Sequence, residues 1–229
     1  MAGMNTKLTE MAYVLDRSGS MAPMKEAAVA AFNGFLKEQL EAPGEARLTL
    51  VLFDDEYLLP VDAKPLEEVK PMVAADFQPR GSTALLDAIG ITIDRLGKRL
   101  EAMPENQRPG QVVVAVFTDG YENASRKYTL DQIHSMIRHQ RDVYSWEFLF
   151  LAAGQDAMAT AAAMGIGHAD AATVDFSAKG LDVSAKAISR KAKAYRSRAR
   201  GEECCEDLYK PLDAVVREEM QKDDPDGPK

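Results

Sequence analysis

The run Gln111-Val-Val-Val-Ala-Val-Phe117 constrains the fold more than any other stretch of this chain. A strand with one wet face alternates apolar and polar residues. This run does not alternate, so it reads as a strand covered on both faces, inside a parallel sheet. It stops at Thr118-Asp119-Gly120. Shorter apolar runs recur at Ala12–Leu15, Leu48–Phe53, Trp146–Ala152 and Ala172–Phe176. Between them lie stripes at helical spacing. One falls within 23–41 and is closed by Pro43-Gly44. A second is Leu85, Ile89, Ile93, Leu96 and Leu100, with Ser82 or Thr83 as its expected cap. A third is Leu130, Ile133 and Ile137, and a small-residue helix follows through about Met164. Leu66 to Val73 is expected to form a further short helix. Strand and helix in alternation predict an α/β, doubly wound, mostly parallel sheet with helices on both faces. Tyr57–Val61 follows its neighbour across Asp54-Asp55-Glu56, a hairpin-sized gap in which Asp54 and Asp55 read as turn residues, which predicts one antiparallel strand at the edge.

At 229 residues the chain has the length of one ordinary domain with an appendage, and a hydrophobic share of 46% is enough for a real core. The formal charge of -8 argues against a generic nucleic-acid binder. The first ten residues contain no apolar signal region and no run is long enough to span a membrane. Cys204 and Cys205 are adjacent, which makes neither a disulfide framework nor a metal spacing. Together these features predict a cytoplasmic protein. His134, His139 and His168 are scattered and form no triad.

From Gly180 the chain changes character. Leu181, Ala185, Ile188, Ala192, Tyr195 and Ala199 make an apolar stripe opposite a basic face that runs from Lys186 to Arg200. That face is expected either to be solvated or to pair with the acidic residues that follow. Residues 1–200 are therefore read as the domain with its basic amphipathic helix. Residues 201–229 are read as an acidic extension, with a short helix after Pro211 and a disordered end from Asp223.

The chemistry concentrates where Ala12–Leu15 ends. Asp16, Ser18 and Ser20 place three side-chain oxygens within five positions at the carboxyl end of a strand, where open α/β sheets bind ligands. Thr83, in the loop before a helix, and Asp119, after the long apolar strand, end at the same edge. Hydroxyl and carboxylate oxygens are hard donors and suit Mg²⁺ or Mn²⁺ with water completing the shell. Each residue taken alone has a plainer reading as a cap or a turn. Arg17, Tyr121, Glu122 and Asn123 are rim candidates for choosing a partner, with plain surface as the alternative for each.

Asp16-Arg-Ser-Gly-Ser20, followed by Thr83 and by Thr118-Asp119-Gly120, resembles the metal-ion-dependent adhesion site (MIDAS) of von Willebrand factor A domains. The likeness covers Leu8 to Phe176 and is nearest to bacterial single-domain members. It implies a Rossmann-like fold and a site in which Ser18, Ser20 and Thr83 bind the metal. It also implies that Asp16 and Asp119 act mostly through water, and that a partner's Glu or Asp fills the open position. The basic-then-acidic C-terminal part lies outside the family's pattern.

The expectation is thus a metal-dependent protein-binding module acting as an intracellular adaptor, not an enzyme. A metal-dependent phosphate hydrolase or transferase is the weaker alternative. No second carboxylate follows Asp16 at the spacing an acid/base would need, and there is no phosphate-cradling or nucleophile-elbow motif. A nucleic-acid-associated role through the 186–200 helix is a third.

Overall fold

The computed structural model describes residues 3–153, 157–202 and 205–222. Six strands form one sheet: β1 (Asn5–Asp16), β2 (Glu45–Phe53), β3 (Tyr57–Pro65), β4 (Pro109–Thr118), β5 (Glu147–Ala153) and β6 (Ala171–Val174). Their order is β3-β2-β1-β4-β5-β6, with every neighbouring pair parallel except β2 and β3. The helices are α1 (Lys25–Glu41), α2 (Leu85–Glu101), α3 (Leu130–Tyr144), α4 (Ala157–Ala163), α5 (Ala178–Ala199) and α6 (Leu212–Lys222).

β1 shows why the sheet needs cover on both sides. Met11, Tyr13 and Leu15 point into a core shared with α1, α5 and α6. Ala12 and Val14 point into the opposite core, shared with α2, α3 and α4. Period-two geometry sends alternate residues to opposite faces, so an unbroken apolar strand must be sandwiched. The chain leaves β1 for β2 on one side and later returns through α2 to β4 on the other. The gap between the carboxyl ends of β1 and β4 is therefore the point where the winding reverses, the usual ligand crevice of such sheets.

Three local expectations need correcting. Residues 66–73 form only one 3₁₀ turn, Leu66–Glu68, because Pro71 offers no N–H and biases Lys70 toward extended backbone. The first helix begins at Lys25, after a 3₁₀ segment, Gly19–Met24, that holds Pro23. Neither Ser82 nor Thr83 caps α2; the N-cap is Ala84 and uses no side chain.

The division at residue 200 is one of charge rather than of packing. Leu212 and Val215 of α6 are fully buried in the same core as α1 and α5. Gly154-Gln155-Asp156, between the strand ending near Ala152 and the small-residue helix, Cys204 and the end from Asp223 lie outside the described residues.

Candidate functional site

β1 ends in Asp16, which is wholly buried. Both of its carboxylate oxygens are occupied by protein donors: Ser18 N–H donates to Oδ1 at 2.7 Å and Thr118 Oγ1 donates to Oδ2 at 2.5 Å. The first bond folds the chain back so that Ser18 and Ser20 face the same way. The second ties the end of β1 to the end of β4. Burial pushes the Asp16 carboxyl up to about 6, against the pull of these hydrogen bonds.

Ser18 Oγ lies 3.1 Å from Ser20 Oγ and 3.5 Å from Asp119 Oδ1. Ser20 also hydrogen-bonds Asp119, whose carboxyl burial raises above its usual range. Thr83 approaches from the third segment. It is buried, and a Cβ at Gly120 would sit 2.5 Å from its Oγ1, so only glycine lets the β4–α3 loop pass this close. Gly19 N–H donates to Gly81 carbonyl oxygen at 3.1 Å and Arg80 N–H to Arg17 carbonyl oxygen at 2.9 Å, which latches the loop before α2 to the loop after β1. Gly81 has φ of 65° and a side chain there would run into Asp55, so this turn also demands glycine. The structure thus brings Asp16, Ser18, Ser20 and Asp119 together from two distant segments and sets Thr83, from a third, against Gly120 beside Asp119, at the edge of the same cup. No cluster of three or more His, Cys, Asp or Glu side chains capable of holding a metal occurs among the described residues. The cup is hydroxyl-rich, and three of its five members fall outside those residue types.

Solved structures share this architecture. Proximal thread matrix protein 1 from the mussel byssus, in a form with a zinc-occupied MIDAS motif, superposes with a TM-score of 0.55 at 18% identity, over 84% of this chain and 46% of that one. A von Willebrand factor type A protein from Catenulispora acidiphila gives 0.56 at 11% identity, over 81% and 43%. Manganese-loaded TRAP protein from Plasmodium vivax gives 0.54 at 13% identity, over 80% and 74%. This chain has the von Willebrand factor A fold. At these identities the likeness concerns the fold alone, and the chain spans just under half the length of the byssus protein. No protein-family model and no curated protein sequence matches it.

The rim of the cup departs in part from expectation. Arg17 is turned away from solvent. It is 5% exposed, with its guanidinium 2.9 Å from the buried Asp54 carboxylate and bonded to Gln78 carbonyl oxygen. Asp54 does make the expected turn, accepting Glu56 N–H at 2.6 Å, but it also neutralises Arg17. Glu122 is likewise consumed. Its Oε2 accepts Leu86 N–H at 2.9 Å and its Oε1 accepts the N–H groups of Ala124 and Ser125. Asn123 is exposed on its outer side, yet its Oδ1 accepts Thr83 N–H at 2.9 Å. Of the four rim candidates, Tyr121 presents a large side chain to solvent, at 65% exposure.

Sequence reasoning missed that Glu122 and Ser125 do the capping it assigned to Ser82 or Thr83. Asp87 N–H finds Ser125 Oγ at 3.0 Å. The signal was faint: an acid and a serine in a loop 36 to 38 positions downstream, with no local pattern linking them to α2.

The basic residues of α5 from Lys186 onward turn inward or pair. Arg190 bonds Asp207, Glu218 and Glu219, and Lys193 meets Glu38 at 2.8 Å. Lys191 donates to the carbonyl oxygens of Asp207, Leu208 and Lys210, and the buried Arg196 to those of Gln39, Ala42, Pro43 and Gly44. Of the two expectations for this face, pairing with the following acidic residues is the one realised at Arg190. No helix among the described residues is long and apolar enough to cross a membrane.

Proposed function

We propose that the cup holds a divalent cation, Mg²⁺ or Mn²⁺, and that through it this domain binds an acidic residue of a partner protein, as an adaptor in the cytoplasm and not as an enzyme. The observation that carries the reading is the convergence of Ser18, Ser20 and Asp119 oxygens within 3.1 to 3.5 Å. The donor chemistry fits a hard cation. Ser18, Ser20 and Thr83 would be the direct ligands. Asp16 already spends both oxygens on protein donors, so it orients Ser18 and supplies charge from behind. Asp119 supplies the second negative charge. A bound divalent ion would offer a coordination position to an outside carboxylate oxygen, because its nearest protein ligands are neutral hydroxyls. Tyr121 stands beside Asp119 as an exposed aromatic anchor of the kind that dominates interfaces. The metals held by the byssus and TRAP proteins on the same fold support the reading.

The enzyme alternative draws no added support: the groups nearest the cup are hydroxyls and two carboxylates committed to holding them. The nucleic-acid alternative loses ground because Arg190, Lys193 and Arg198 are paired with carboxylates of the chain itself.

Calorimetric titration of metal-free protein with Mn²⁺ tests the first half. Binding is expected for the wild type and lost in Ser18→Ala and Asp119→Ala. Capture of partner proteins on the immobilised domain, with and without chelator, tests the second. Capture that ignores both the chelator and Ser18→Ala would refute the proposal.

A further inference from the structure

We propose that Asn123 is a positioning residue for the metal cup: it fixes Thr83 so that the threonine hydroxyl serves the cup rather than the helix behind it. The inference rests on the metal-binding reading above and assigns a role within it.

Thr83 stands one residue before the α2 N-cap, Ala84, close to the first amides of the helix that a capping hydroxyl would accept. Here those amides are satisfied from elsewhere. Glu122 takes Leu86 N–H and Ser125 takes Asp87 N–H. Ala84 N–H donates to Asp54 carbonyl oxygen at 2.9 Å. The Thr83 peptide is then clamped from both sides by one residue: its N–H donates to Asn123 Oδ1 at 2.9 Å, and its carbonyl oxygen accepts Asn123 N–H at 3.0 Å.

Asn123 is four positions after Asp119, so one short loop carries both the second carboxylate of the cup and the clamp on its third hydroxyl. The loop is itself anchored to α2 beyond the clamp. Asp87 accepts the N–H groups of Arg126, Lys127 and Tyr128, and Tyr128 Oη donates to Asp94 at 2.9 Å. The spacing between Asp119 and Thr83 is thereby set before any metal arrives. Groups that orient metal ligands in this way commonly carry 10- to 100-fold of the affinity.

The test compares Asn123→Ala and Asn123→Asp, the second keeping an acceptor at Oδ1, with wild type and Thr129→Ala. Three quantities are read: hydrogen exchange of the Thr83 amide in metal-free protein, Mn²⁺ affinity by electron paramagnetic resonance, and melting temperature with and without Mn²⁺. Asn123→Ala is expected to speed Thr83 exchange and to weaken Mn²⁺ by about tenfold or more, with Asn123→Asp recovering both. Thr129→Ala, which removes the side-chain cap of α3 away from the cup, is expected to lower the melting temperature while leaving Mn²⁺ affinity within about twofold. Wild-type Mn²⁺ affinity in Asn123→Ala, while Ser18→Ala binds none, would overturn the positioning role and leave the metal reading standing. So would an equal loss of melting temperature with and without metal. Should the wild type bind no Mn²⁺, the metal reading itself fails. If Asn123→Ala does not fold, Asn123→Ser, whose hydroxyl stops short of the Thr83 amide, takes its place with the same outcomes.

Discussion

Asp16 is held as a buried carboxyl between two donors, and its elevated pKa of about 6 makes the metal-free cup pH-sensitive. The sign follows from linkage. A carboxyl whose folded pKa lies above its unfolded value favours the protonated folded state. Its contribution to stability is full below the unfolded value of 3.8 and is lost as pH rises through about 6. A shift of this size corresponds to at most about 3 kcal/mol. A divalent cation reverses the preference, because it pairs with the ionised form. The rise in melting temperature on adding Mg²⁺ is expected to be small at about pH 5 and larger at about pH 7.5, as checked by thermal scans. Gly120 makes a second residue-scale prediction. Its hydrogen faces Thr83 Oγ1, so Gly120→Ala should displace that hydroxyl and weaken Mn²⁺ binding by about tenfold while the far-ultraviolet circular dichroism is retained.

At the scale of elements, α2 is capped by a loop that arrives after a whole further strand. The expected price of Glu122→Ala is about 1–2 kcal/mol in chemical denaturation, since Leu86 N–H and two loop amides lose their acceptor together. α5 presents the opposite case, a helix whose charges serve the interior. Arg196 closes the carboxyl end of α1 by donating to four of its last and following carbonyls. Burial lowers its pKa only to about 10, so it stays charged at neutral pH and complements the negative end of the α1 dipole. Arg196→Met keeps the bulk and removes the donors; a loss of about 3 kcal/mol in urea unfolding is expected.

Across the whole molecule, α6 completes the core on the α1–α5 face. Truncation before residue 205 would strip Leu212, Val215 and Val216 from that core and take Asp207, Glu218 and Glu219 from Arg190. A fully buried aliphatic side chain is worth about 1.5–3 kcal/mol, so the truncated protein should unfold at a clearly lower urea concentration, by at least about 4 kcal/mol. The acidic stretch after Gly201 thus has a structural use within the described residues, which net charge alone did not reveal.

The sheet was legible because its signal is local. Gln111–Phe117 has no polar alternate, so a sandwiched parallel strand was the reading that period and burial allow, and β4 occupies the centre-right of the sheet as that reading requires. The five cup candidates could be named as well, because their residue types and order along the chain do not depend on how the rest packs. The fate of the groups around them was decided only in three dimensions. Arg17 went inward because Asp54 waits beneath it, Thr83 was released from capping because Glu122, Asn123 and Ser125 arrive from another loop, and the basic face of α5 closed on acids from α1, β5 and α6. Periodicity and local motif encode which face a residue lies on. Which distant charge or hydrogen-bond partner meets it there is a property of the fold, since a polar group removed from water takes whatever partner the packing brings.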